Sequence, residues 1–300
     1  MLMTEIESYL AIRRAGGFAL VGTERRLLAF ARFATARGES QVRSATAVLW
    51  AAQAASVYQR SRRLMELRLF ARHVRAEDPR HEVPPEHVFG SPLLWRIPHI
   101  FSADDLRRIL LEAGRLGPPG TLRPHTYQAL FGLLASCGLR VSEALALRID
   151  DVTADGLVIR KAKFRKSRLV PMHPSTEAAL REYLGRRRRV AAHLDHVFVS
   201  LHSKPLGYTG AFLTFQAILQ RLGIRKRGDP GARLHDLRHS LAVRALEESV
   251  RTEVSVQALA LSTYLGHSKI AHTYWYLHAT PHLMSGIADA CQAQLRGEAP

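Results

Sequence analysis

Gly138-Leu139-Arg140-Val141-Ser142-Glu143-Ala144-Leu145 reads as a helix stop followed at once by a helix start. The apolar stretch Tyr127–Ser136 ahead of it has the composition of a buried helix. A glycine just past such a run suits the left-handed conformation that closes one. Ser142 can then cap a short helix over Glu143–Arg148. Between the two stands Arg140, whose direction a rigid turn would fix. Outward from this joint, Leu157-Val158-Ile159 and Arg168-Leu169-Val170-Pro171 flank a basic turn and predict a β-hairpin. Further on, His235 and Arg238 are three apart and project from one helical face, with His239 on the same polar stripe. Leu234, Leu237 and Leu241 form the adjacent core stripe. Ser102-Ala103-Asp104-Asp105 caps another helix, and His196–Val199 reads as a short strand. The expected architecture is mainly α with a small β-sheet.

Five prolines, at 79, 84, 85, 92 and 98, exclude a continuous helix and predict an extended linker. The chain then divides into a helical domain over 1–80, a proline-rich linker over 81–98 and a second domain over 99–300. In the first domain Thr23 is placed to cap a helix carrying Leu27, Phe30, Ala31 and Ala34 at helical spacing. An alanine-rich helix is expected over Thr46–Gln59, and a third over Arg60–Glu77 with Leu64, Leu67, Ala71 and Val74 on one stripe. The other faces of that third helix carry Arg60, Arg63, Arg68, Arg72 and Arg75. Nearly all its charges share one sign, which favours a helix laid against DNA over a merely solvated face. By contrast, the run Arg186–Arg189 reads as the solvated end of a helix.

At 300 residues, with 47% hydrophobic and 23% charged, the chain has the composition of a folded protein rather than a disordered one. Lys and Arg number 43 against 26 acidic residues, for a net charge of +17, which points to a polyanionic partner. Both halves share the excess: residues 1–96 carry +6 and the remainder +11. Two cysteines exclude a disulfide scaffold and a four-thiolate zinc site, and Cys137 lies in an apolar run suited to a buried free thiol. His193, His196 and His202 lack an acidic or cysteine partner at ligand spacing, and no glycine loop fits a nucleotide phosphate. Neither a metal nor a cofactor is therefore expected. Acidic residues stand where a signal peptide would be positive, and no apolar run approaches the ~18 residues of a membrane span. That places the protein in the cytoplasm, at the nucleoid.

Exchange at a phosphodiester needs positive charge on the non-bridging oxygens, an in-line nucleophile and a proton for the leaving oxygen. Arginine suits the first task, being bidentate and permanently charged. Lysine suits the last, because a site can lower its pKa and its proton can be given away. Of 43 cationic residues only six are lysines, yet Lys161, Lys163 and Lys166 all fall in the hairpin. Lys163 stands at the end of its first strand. Tyr264, Tyr274 and Tyr276 compete as nucleophile. Tyr264 lies in the apolar run 259–265 and reads as core or hydrogen-bonded wall. Tyr274 and Tyr276, two apart, point to opposite sides of a helix, so one alone can reach the phosphate. Spacing does not choose between them.

Taken together, Gly138–Leu145, Lys163–Pro171, His235–His239 and Leu265-Gly266-His267 with Tyr276 nine residues later resemble the motif boxes of the tyrosine recombinase (phage integrase) family. The likeness covers about residues 97–285 strongly and the N-terminal helices only by type. It implies a helical core-binding domain that clamps DNA, followed by a mixed α/β tyrosine-recombinase catalytic domain. It also implies that Arg140, Arg238 and His267 bind the scissile phosphate, Lys163 is the general acid, His235 assists proton transfer, and Tyr276 forms a 3′-phosphotyrosyl link, with Glu143 buttressing the site. Arg165 departs from the glycine that many relatives carry in the hairpin turn. The wording Thr273–Leu277 and Ala279-Thr280-Pro281 resembles recombinases of transposons and other mobile elements. Implied partners are double-stranded DNA and three further copies of the chain in a tetramer, with accessory recombinases or DNA-bending proteins also allowed. Leu283, Ile287, Cys291 and Leu295 make an apolar stripe that either folds back on its own domain or, as in relatives, docks on a neighbour. The other readings are a nicking and resealing topoisomerase and a non-catalytic DNA-binding protein of the same fold.

Overall fold

A computed structural model describes residues 2–90, 98–160, 167–225, 231–248 and 254–266. Its helices and strands form two compact units, residues 1–96 and 97–300. In the first unit, α1 (Leu2–Ala15), α2 (Val21–Thr35), α3 (Ser44–Ala52) and α4 (Val57–Arg75) enclose one core. Leu27, Phe30, Ala31 and Ala34 of α2 are wholly buried, as their spacing predicts. Each large apolar side chain so buried contributes about 1.5–3 kcal/mol. Helix α2 starts before Thr23, because Leu20 adopts a left-handed turn and its carbonyl accepts from the Glu24 amide at 2.8 Å. The helix expected over 46–59 is interrupted: α3 ends at Ala52, and the Ser56 hydroxyl caps a new helix by accepting from the Gln59 amide at 3.2 Å.

The arginines of α4 are more engaged with the protein than the sequence suggests. Arg60 donates to the Ala54 carbonyl, while Arg63 donates to the Trp50 carbonyl and stands 5.0 Å over its ring. Arg68 and Arg72 both pair with Glu86, from the segment after the helix. Buried Glu66 is held by a two-pronged pairing with Arg26 at 2.6 and 2.7 Å.

In the second unit the order is α5 (Ala103–Ala113), α6 (Arg123–Cys137), α7 (Val141–Ala146), β1 (Val152–Thr153), β2 (Gly156–Ile159), β3 (Arg168–Val170), α8 (Pro174–Ala191), α9 (Tyr208–Arg221), α10 (Leu234–Glu248) and α11 (Val254–Leu265). Helix α6 is apolar on nearly every side and is accordingly central, with α5, α8 and α10 packed around it. The three strands form an antiparallel sheet in the order β1-β2-β3, with Leu157 opposite Val170 and Ile159 opposite Arg168. Strand β1, only two residues long, has too short an apolar pattern to be read from sequence. His196–Val199 is not a strand: it makes only single bridges, Arg148 to His196 and Val199 to Pro205. Arg187, read as part of a solvated helix end, is buried. Its guanidinium satisfies the carbonyls of Ala191, Leu194 and His196, the groups a helix end and the following turn leave without partners.

Candidate active site

The joint at Gly138 builds the first wall. Gly138 closes α6 at φ 59°, and a Cβ there would come within 2.7 Å of Leu241 and 2.8 Å of Leu265. Its carbonyl accepts from Arg238 Nη1 at 2.6 Å. Arg140, not Ser142, caps α7, because the Glu143 carboxylate reaches back to the Arg140 amide at 2.9 Å. Arg140 Nη1 also donates to Glu143 Oε1 at 2.7 Å. Replacing Gly138 by Ala combines an unfavourable backbone conformation with two close contacts. The expected cost is about 2–3 kcal/mol, read as a fall in the chemical-denaturation midpoint. An unchanged midpoint would contradict this account of the joint.

Helix α11 ends at this wall. Its last carbonyls lack helical partners and carry the negative end of the helix dipole. Three arginines from three other elements satisfy them in succession: Arg168 Nε donates to Tyr264 O at 3.1 Å, Arg238 Nη2 to Leu265 O at 2.7 Å, and Arg140 Nη2 to Gly266 O at 2.7 Å. Gly266 sits at φ 67°, and a Cβ there would meet Arg168 Nη1 at 2.9 Å. Arg238 is buried, whereas the Arg140 side chain keeps 25% of its surface exposed.

Arg168 was not singled out by sequence as a site residue. It completes the cluster by a two-pronged pairing with Glu143, Nη1 to Oε1 at 3.0 Å and Nη2 to Oε2 at 2.9 Å. A signal for it exists: Arg168 and Val170 are two apart on β3 and so face the same side, and Val170 is fully buried. A charge on the buried face of a strand needs a partner.

Burial alone would raise the Glu143 carboxyl, but hydrogen bonds from Arg168 and from the Arg140 amide and side chain overcome it and hold the pKa at about 2. The unfolded value is about 4.5. Stabilisation from this group is therefore complete above pH ~4.5 and is lost as pH falls toward 2, on the order of 3 kcal/mol in all. The stability gap between the wild type and Glu143→Gln should be widest near neutral pH and narrow through that window. A gap independent of pH would sink the assignment.

His235 lies on α10 beside His239, the rings 4.6 Å apart and edge to face. Desolvation by surrounding protein, then the charge of Arg238, lowers its pKa to about 4. The imidazole is therefore neutral near pH 7 and able to accept a proton. Tyr264 is a wall residue. Its hydroxyl donates to Pro171 O at 3.2 Å, and burial followed by contact with Cys137 raises its pKa, away from a phenolate nucleophile.

The structure thus brings Arg140, Arg238, Glu143 and Arg168 together, with His235 on the turn of α10 that also carries Arg238. Lys163, His267 and Tyr276 lie outside the described residues, as do Lys161, Lys166, Tyr274 and the stripe 283–295. Among the described residues no group of three or more His, Cys, Asp or Glu side chains could hold a metal ion.

Residues 101–282 match the family described as the phage integrase family. A protein of Sinorhizobium fredii named as an integrase/recombinase, y4rB, is 40% identical over 293 residues, covering 93% of each chain. Among solved structures, the XerH site-specific recombinase in a post-cleavage complex with a palindromic difH substrate superposes with a TM-score of 0.66 at 18% identity, covering 89% of this chain and 78% of that one. A lambda integrase tetramer bound to a Holliday junction gives 0.58 at 16% identity, covering 89% and 77%. At these identities the two structures speak to the fold.

Proposed function

Because the chain belongs to the phage integrase family, it is a site-specific tyrosine recombinase that cleaves and rejoins DNA, and we propose that Arg140, Lys163, His235, Arg238, His267 and Tyr276 carry the chemistry. Arg140, Arg238 and His267 hold the non-bridging oxygens of the scissile phosphate. His235 takes the phenolic proton as Tyr276 oxygen attacks phosphorus, and Lys163 gives its proton to the 5′ oxygen as the P–O5′ bond breaks. A 3′-phosphotyrosyl link and a free 5′-hydroxyl result. Attack by the 5′-hydroxyl of another strand reverses the step and regenerates the tyrosine. One phosphoester replaces another throughout, so strand exchange requires no nucleotide cofactor.

The observation that supports this reading best is the convergence on one helix end. Arginines from the 138–145 joint, β3 and α10 meet at the carbonyls of residues 264–266, directly before His267. Described residues of the four motif boxes, up to 126 residues apart in the chain, are thereby drawn to one place. The substrate is double-stranded DNA, in keeping with a net charge of +17 spread over both units. The naming of y4rB as an integrase/recombinase favours service to a mobile element, by integration, excision or transposition. The working form is a tetramer on DNA, the assembly in which lambda integrase holds a Holliday junction. The proposed place of action is the cytoplasm. Among the described residues no helix is long and apolar enough to cross a membrane.

The reading is tested by trapping. Nicked duplexes of randomised sequence, whose short 3′ product strand diffuses away after cleavage, should become covalently attached to the protein, and the captured strands should share a sequence. Absence of any adduct from the pool would overturn the reading. Capture without a shared sequence would overturn its site-specific part.

A further inference from the structure

We propose that Arg168 is a positioning residue that keeps Arg140 electrically available to the scissile phosphate by sharing the Glu143 carboxylate with it. This rests on Arg140 being a phosphate-binding residue, as proposed above.

Glu143 has two guanidinium partners, and they are not equal. Arg168 takes the two-pronged pairing, at 3.0 and 2.9 Å, the stronger geometry for a guanidinium and a carboxylate. Arg140 takes a single side-chain contact, Nη1 to Oε1 at 2.7 Å, and its own amide occupies the other oxygen. The better-paired arginine is also the less exposed, 13% of the side chain against 25% for Arg140. Two cations and one carboxylate leave one net positive charge, and the division of contacts leaves it on the side of Arg140.

Without Arg168, the carboxylate would turn fully to Arg140. The pair would then be neutral, and an arriving phosphate would have to compete with a carboxylate already in place. Screening is weak in such a site, because Glu143 is only 8% exposed. The surroundings hold Arg168 to this task. Its Nε is tied to Tyr264 O, and Gly266 provides the space where a Cβ would strike Nη1. Arg168 also stands opposite Ile159 in the sheet, so the strand that leads into the lysine-bearing turn is anchored to the same carboxylate.

A brace that merely held β3 in place would share these contacts but not their electrical consequence. The test uses the full chain and a duplex recovered from the randomised pool, made with either the natural phosphate or a neutral methylphosphonate at the scissile position. Arg168→Gln should slow attachment to the phosphate by roughly 100-fold and attach to the methylphosphonate at a rate near that of the wild type. Adding Glu143→Gln restores the net charge and should recover at least about tenfold of the loss. Arg168→Lys, which keeps the charge but not the fork, should stay within about tenfold of the wild type. The inference is overturned if Arg168→Gln is equally slow on both substrates, or if the double variant is no faster than the single one. Should Arg168→Gln fail to fold, Arg168→Lys decides: an inactive but folded lysine variant means a brace. Arg140→Ala, run alongside, should be slow on phosphate and recover on methylphosphonate. Normal attachment to phosphate by that variant would instead remove the premise about Arg140.

Discussion

Tyr276→Phe is expected to abolish covalent attachment to DNA while leaving DNA binding almost unchanged. The substitution removes one oxygen and no packing volume, so it should cost little affinity in a contact dominated by phosphate–cation pairs. The chemistry has no substitute for that oxygen. An unperturbed phenol is about 0.1% ionised near pH 7, a deficit of roughly 4 kcal/mol. In the proposed mechanism, cationic charge around the phosphate would lower that cost, and His235, whose depressed pKa leaves it neutral, would take the proton. Tyr264 offers no replacement, since its hydroxyl is committed to Pro171 O and its pKa is raised. Tyr274→Phe should retain activity. Attachment by the Tyr276 variant together with loss of it in the Tyr274 variant would reverse the assignment.

Lys163→Arg is expected to produce the second large effect. It keeps the positive charge but binds its proton far more tightly, so DNA binding should survive while cleavage slows by roughly 10²–10⁴-fold, the usual worth of a general acid. The diagnostic lies in the leaving group. A thiol has a pKa of about 8.5, so a 5′ sulfur in place of oxygen departs without a proton donor. Substituting sulfur should bring the variant back toward the wild-type rate. If it does not, the proton comes from another group, with Lys166 and His235 next in line.

The local parts of the described cluster were legible because their residues are close in sequence or share one helix. The stop at Gly138, the three-residue step from His235 to Arg238 and the proximity of Arg140 to Glu143 all follow from local geometry. What escaped was set by distant partners. Arg168 meets Glu143, 25 residues away, and Tyr264, 96 residues away. Spacing within a strand says that it faces inward with Val170, not which carboxylate awaits it. The cap of α7 shows a similar limit. Ser142 has the right chemistry for a cap, but the Glu143 carboxylate reaches the Arg140 amide first, and Ser142 is left exposed inside the helix. Arg187 shows the same limit. Four consecutive arginines look solvated, yet the one on the buried face of α8 is drawn in by carbonyls of the turn that follows.

The nucleophile is the central claim, and the most direct measurement of it is to map the bond. Wild-type protein trapped on a nicked duplex should be digested with nuclease and protease and the nucleotide-bearing peptide sequenced by mass spectrometry. The account predicts a single modified peptide with the 3′-phosphate on the phenolic oxygen of Tyr276. A nucleotide found on Tyr274, on Tyr264 or on any side chain other than Tyr276 would contradict it.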